Sequence, residues 1–229
     1  MPMPFLRLSW RIQVVTLAAA LPLALAAQGV TVTGRVTIQD RDGRPGTDQA
    51  QAVVWLEGGP AAGAAPVSVE MATEGKQFVP HLVVVPPGST VAFPNHDPFN
   101  HNVFSLAAER VFDLGLYGRG ASKAVDFGAP GVIRVYCNVH AQMRGLVVVP
   151  GSGRFTQPGT DGAFRLANVP PGDYVLHVWH ERTPEVTQPL KVGAGDPAPV
   201  TVALDARGYR LVQHRDKNGK SYSDRSRRY

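Results

Sequence analysis

From residue 30 to residue 204 the chain is a series of short β-branched runs, each cut off by Gly, Pro, Asn or Asp. They include "VTVTGRVTI", "AVVWLEG", "HLVVVPPGSTVAFP", "GVIRVYC", "GLVVVP", "YVLHVW" and "PVTVALD". Val, Ile and Thr are stiff at χ1 and suit a pleated surface, while the breakers keep each run to strand length. No segment sustains apolar residues at helical spacing between caps; only residues 105–112, "SLAAERVF", leave room for one helical turn. The fold class is therefore all-β, and this many short strands implies two β-sandwiches.

The ends of the chain differ from its body. Arg7 and Arg11 precede an uncharged apolar stretch at residues 12–25, and Ala24-Leu25-Ala26 offers a small-residue cleavage site. Residues 1–26 therefore predict an export signal, too short to prefer spanning a bilayer, and no later run is long enough for a membrane span. The formal charge of +5 is a matter of the ends as well. Residues 207–229 carry eight Lys/Arg against Asp216 and Asp224, and the signal adds two arginines, which leaves the body at −3. Residues 207–229 are expected to be a basic, flexible tail, because they hold too few apolar groups to order themselves. No basic helix or aromatic-interleaved basic patch predicts nucleic-acid binding.

Composition divides the body. Residues 30–59 are a strand pair around "DRDGRPG", and residues 60–65 are small, linker-like and Pro/Gly-containing. Residues 66–150 hold the unusual side chains, and residues 151–206 return to plain strand and turn.

The unusual stretch is "VYCNVHAQM", residues 135–143, which contains the single cysteine of an exported chain. A lone thiol in an oxidising compartment is a liability unless buried or ligated. In "GVIRVYC", Ile133, Val135 and Cys137 share one face, and Arg134 marks the other as wetter, so Cys137 points inward at its strand end. "NVHAQM" must then turn, because "GLVVV" is the next strand, and a tight loop can aim Cys137, His140 and Met143 at one point. Upstream, in "VAFPNHDPFNHNVFS", a strand ends at Pro94 and another begins near His101, which supplies a second imidazole. His96, in the loop, competes for that place; His81 reads as structural. Two His, one Cys and one weak Met are the donor set of a type 1 blue copper site, whereas structural zinc usually needs four strong ligands.

These residues resemble a known family. "VPPGSTVAFPNHDPFNHNVFS" and "GAPGVIRVYCNVHAQMRGLVVV" are similar to cupredoxins of the plastocyanin and amicyanin type, with a short loop closer to that of amicyanin. The resemblance implies a Greek-key sandwich binding one copper ion through His101, Cys137, His140 and Met143. It also implies that Asn102 hydrogen-bonds to tie the cysteine loop. The chain departs from the family at Asn138-Val139 and Ala141, where many relatives have proline. A second resemblance, carried by "TDGAFRLANVPPGDYVLHVWHE" and "GRVTIQDRDGRPGTDQAQAVVWLEG", is to the carboxypeptidase regulatory-like, transthyretin-like sandwich. It implies that the copper domain is inserted between residues 30–59 and 151–206; alternatively, residues 30–59 are extra cupredoxin strands. The pair of modules resembles exported bacterial proteins labelled methylamine utilization protein.

No His-x-His pair, Ser-His-Asp group or paired-carboxylate site is evident, and His177 and His180 face opposite sides of one strand. The chain is thus expected to be no enzyme but a monomeric periplasmic electron carrier, cycling Cu(I)/Cu(II) between transient redox protein partners. Copper storage or delivery is the alternative, and an adhesion module with an incidental metal is a third.

Overall fold

The computed structural model describes residues 29–222, so the expected signal lies outside the described residues, as do residues 223–229. Seventeen strands carry the described chain. The first nine are β1 (Val30–Gln39), β2 (Val53–Gly58), β3 (Ser68–Glu70), β4 (Ala72–Glu74), β5 (Gln77–Val79), β6 (Leu82–Val84), β7 (Ser89–Pro94), β8 (His101–Ala107) and β9 (Arg110–Tyr117). The others are β10 (Ser122–Phe127), β11 (Gly131–Cys137), β12 (Arg144–Val149), β13 (Phe155–Thr156), β14 (Ala163–Val169), β15 (Gly172–Trp179), β16 (Val186–Val192) and β17 (Val200–Asp205). A short 3-10 turn lies at Gln49–Gln51. No helix among them is long and apolar enough to cross a membrane.

The strands form four main sheets in layers. Strand order is β14-β1-β17 in the first, β13-β2-β15-β16 in the second, β6-β12-β11-β8-β9 in the third and β10-β7-β3 in the fourth, with β4-β5 as a separate hairpin. The first two enclose one core, with Val32, Val36, Leu56, Phe164, Leu176 and Leu204 among its members. The last two enclose another, with Phe93, Val103, Phe127, Ile133, Val135, Cys137 and Val147. Strand β1 is antiparallel to β14 and parallel to β17, and β2 is antiparallel to β13 and β15. The opening strands therefore pair with the closing ones, and residues 66–149 supply the other two sheets. A side chain at Gly34 would overlap the Val200 carbonyl and the Phe164 ring, so β1 needs glycine where its two neighbours close in.

A third apolar cluster joins the two sandwiches: Val53, Trp55 and Trp179 from the second sheet pack on Leu82, Leu146 and Val148 of the third. This accounts for the runs "VVWL" and "GLVVV", which lack polar alternation. Both strands bury both faces, one toward their own sandwich and one toward the other.

Two expectations need correction. Residues 105–112 are no helical turn but a hairpin, in which Ala107 pairs with Arg110. Pairing of β8 with both β9 and β11 outweighs the helical propensity of "LAAE". The flexible tail is also corrected for residues 209–222, which lie on the body. His214 stacks on Tyr136 with ring centroids 4.4 Å apart, and Lys217 Nζ meets Asp113 at 2.6 Å. A charge count missed the local order here. The Asp216 carboxylate accepts the Asn218 and Lys220 N–H groups, closing a tight turn that needs no apolar core.

Candidate metal centre

The site is assembled from two loops at one end of the sandwich. The loop between β7 and β8 is folded about Asn95, which is fully buried. Its Oδ1 accepts from the Thr73 hydroxyl and the Asp97 N–H, and its Nδ2 donates to the Phe99 and Tyr117 carbonyls. That knot sets the entry to β8, whose first residue, His101, is fully buried. The second loop follows β11. The Cys137 N–H donates to the Met143 carbonyl at 3.1 Å and the Met143 N–H to His140 at 3.0 Å, so residues 137–143 close on themselves.

The two loops bring the donors together. Cys137 Sγ lies 3.6 Å from His101 Nδ1 and 3.5 Å from His140 Nδ1, and one donor atom from each residue falls within 4.8 Å of the others. Cys137 and Met143 are fully buried, whereas His140 is half-buried. Met143 sits in the same apolar core as Cys137, at the end of the loop. His96 is exposed and outside the cluster, and His81 is paired to Glu181 at 2.9 Å. His177 stacks on Trp55 between Glu57 and Glu185, and His180 accepts the Arg182 N–H. No second group of this kind lies together among the described residues.

Electrostatics favour ligation. Burial alone would push the Cys137 thiol up, but the His101 ring and the backbone N–H groups of Asn102, Val139 and His140 outweigh it and hold the thiol below its ordinary value. Burial, with His101 and Lys76 nearby, holds His140 down in its neutral form. Burial opposes protonation of His101, yet Cys137 and Asp97 prevail and raise it. Asp97 was not anticipated as part of the site. It lies four residues before His101, and its Oδ2 accepts from His101 Nε2 at 2.8 Å. A carboxylate only accepts, so Nε2 carries a proton toward Asp97, and Nδ1 is the ring atom that faces the sulfur. Phe99 touches both histidine rings, at 5.3 and 5.5 Å between centroids. Asn102 ties the cysteine loop with its backbone, its carbonyl accepting the Asn138 N–H at 3.0 Å, but its side chain donates instead to Asp113.

A soft thiolate and two neutral-capable imidazoles converge here, His101 and Cys137 buried and His140 half-buried, with a thioether in the loop, and that donor set fits a single type 1 copper site. The chain contains a cupredoxin-like domain. Its two-sheet sandwich has His101 opening one strand and a Cys-x2-His-x2-Met loop following another.

No family model matches the chain, and no curated protein matches it. Solved structures do. An oxidised amicyanin variant is 21% identical, with 36% of this chain aligned on 81% of that one at a TM-score of 0.34. A purple cupredoxin from Nitrosopumilus maritimus is 30% identical, with 31% of this chain on 80% of that one and a TM-score of 0.29. The copper-containing nitrite reductase of Thermus scotoductus SA-01 is 26% identical over 41% of this chain and 24% of its own, at a TM-score of 0.34.

Proposed function

We propose that this protein is a periplasmic type 1 copper electron carrier, held by His101, Cys137, His140 and Met143, that exchanges electrons with transient redox protein partners and makes no bond in a substrate. The observation that carries the proposal is the cluster itself: two Nδ1 atoms facing one sulfur at 3.6 and 3.5 Å. Copper bound there would supply a one-electron Cu(I)/Cu(II) couple. The chain's own part is to hold the donors still. His101 is fixed by Asp97, the Cys137 sulfur accepts the Val139 N–H at 3.4 Å, and the loop is held by its own hydrogen bonds. A half-buried His140 beside Val139, which is 45% exposed, offers a small edge for a partner, and redox contacts are small. The periplasmic placement is supported by the export signal read at residues 1–26.

We further propose that residues 30–59 and 151–206 form a carboxypeptidase regulatory-like sandwich into which the copper domain, residues 66–150, is inserted. Its support is the pairing of β1 with β14 and β17 and of β2 with β15. The test of function is repeated chemical reduction and reoxidation of the copper-loaded protein, with a metal chelator present. A carrier completes many cycles and keeps its metal. Ready loss of copper to the chelator would instead favour storage or delivery and overturn the carrier.

A further inference from the structure

We propose that residues 209–222 are a positioning strap for the ligand loop: they hold the backbone on which Cys137 is carried and slow the release of its metal. The inference rests on the copper assignment above. The Tyr222 hydroxyl donates to the Cys137 carbonyl at 2.8 Å. The Lys217 N–H donates to Asn138 Oδ1 at 3.0 Å. His214 stacks on the ring of Tyr136, 4.4 Å between centroids and 21° from parallel, and meets Tyr222 edge-on at 5.1 Å. Three successive residues, 136 to 138, are therefore each held by a different residue of the strap.

The contacts add to bonds that the loop already makes. The Cys137 N–H is already given to the Met143 carbonyl, so Tyr222 fixes the other side of the same residue. Asn138 gives its N–H to the Asn102 carbonyl, and Lys217 fixes its side chain. A proline at the start of this loop would restrict the backbone by itself; Asn138 does not, and is restrained here from outside. The strap also reaches the other ligand-bearing strand. Asp113 accepts from Lys217 Nζ at 2.6 Å and from Asn102 Nδ2 at 2.6 Å, and Asn102 is the neighbour of His101. One carboxylate thus links the strap to the strand of the first histidine, while Tyr222 links it to the strand of the cysteine.

The strap has the internal order that such a role needs. Asp216 is 1% exposed and closes the 216–220 turn with its carboxylate and backbone, and Gly219 supplies the positive φ of 76°. Phe104 lies against both Tyr136 and His214, at 5.8 and 6.3 Å, so the aromatic stack is continuous with β8. A segment that merely covered the surface would have no reason to bond the cysteine carbonyl.

The test compares the full chain with His214→Ala/Tyr222→Phe and with a chain ending at residue 207. All three are loaded with copper and reduced, and Cu(I) is withdrawn by excess bathocuproine disulfonate while its coloured complex is followed. The double variant is expected to lose copper about 10-fold faster, the scale on which groups just outside a metal's ligands act. Leu204→Ala, in the core of the other sandwich, serves as the control for general destabilisation; it should lower the melting temperature without speeding release. If the shortened chain does not fold, the double variant decides. A full chain that takes up no copper overturns the copper assignment and the strap with it. Unchanged release from the double variant, or equal acceleration by Leu204→Ala, overturns the strap alone.

Discussion

Asp97→Asn separates the support of the metal site from the ligands themselves. Asp97 is 6% exposed, and its carboxylate accepts from three donors: Gly75 N–H at 2.8 Å, Lys76 N–H at 3.0 Å and His101 Nε2 at 2.8 Å. Gly75 and Lys76 both have a φ of 59°, which turns successive N–H groups toward the same anion. Asparagine keeps one oxygen, best spent on His101 and Lys76, and sets its NH2 against the Gly75 N–H. One charge-assisted bond is lost and a donor faces a donor, at a cost of about 1.5–3 kcal/mol. For a chain of this size that is a fall of about 3–12 °C in the melting temperature of the metal-free protein. The effect has a defined pH range. Burial raises Asp97, but its three donors bring it below the ordinary value of 3.8, so its contribution is complete above that value and vanishes as pH falls through the folded one. The gap between wild type and Asp97→Asn should therefore close in acid. Copper affinity should fall about 10–100-fold, because His101 loses the group that sets its tautomer. Thermal melts of both metal-free proteins across the acid range, with a copper titration at neutral pH, provide the assay. Equal melting temperatures and equal affinities would refute the role given to Asp97.

Met143→Leu should keep copper and raise the reduction potential, because a weak donor to the oxidised metal is lost; voltammetry showing an unchanged potential would remove Met143 from the site. Leu146→Ala, in the cluster between the sandwiches, should cost about 2–5 kcal/mol in denaturant unfolding while the visible spectrum of the folded protein stays the same. Gly34→Ala should leave little folded protein, because the new methyl overlaps the Val200 carbonyl and the Phe164 ring, and normal expression and melting would contradict that packing. A 66–150 segment expressed alone should bind copper yet self-associate, since it bares Leu82, Leu146 and Val148; sedimentation as a monomer would contradict the buried interface.

The strand ends that carry the site were legible because they obey short-range rules. Period two places Ile133, Val135 and Cys137 on the inner face, and the breakers at Pro94 and "NHDPFN" end β7 just before His101. The donor types identify the chemistry without any long-range information. What escaped the sequence depends on long-range pairing or on polar side chains closing local turns. The 105–112 hairpin follows from sheet neighbours that the segment itself does not encode. Asp97 looks like any loop aspartate until Gly75 and Lys76, more than twenty positions away, turn their N–H groups to it. The order of residues 209–222 comes from a turn former, Asp216, and from aromatic rings, neither of which a charge balance registers. The unalternated runs "VVWL" and "GLVVV" did mark the strands buried on both faces, a signal present in the sequence and open to use.

The visible spectrum of the purified protein titrated with Cu(II), beside that of Cys137→Ser, tests the central claim most directly. A thiolate bound in a His₂Cys plane predicts an intense blue colour that saturates at one copper per chain, disappears on reduction, and is lost when the soft sulfur becomes a hydroxyl. A colourless wild-type complex, or a serine variant that keeps the intense blue band, would contradict it.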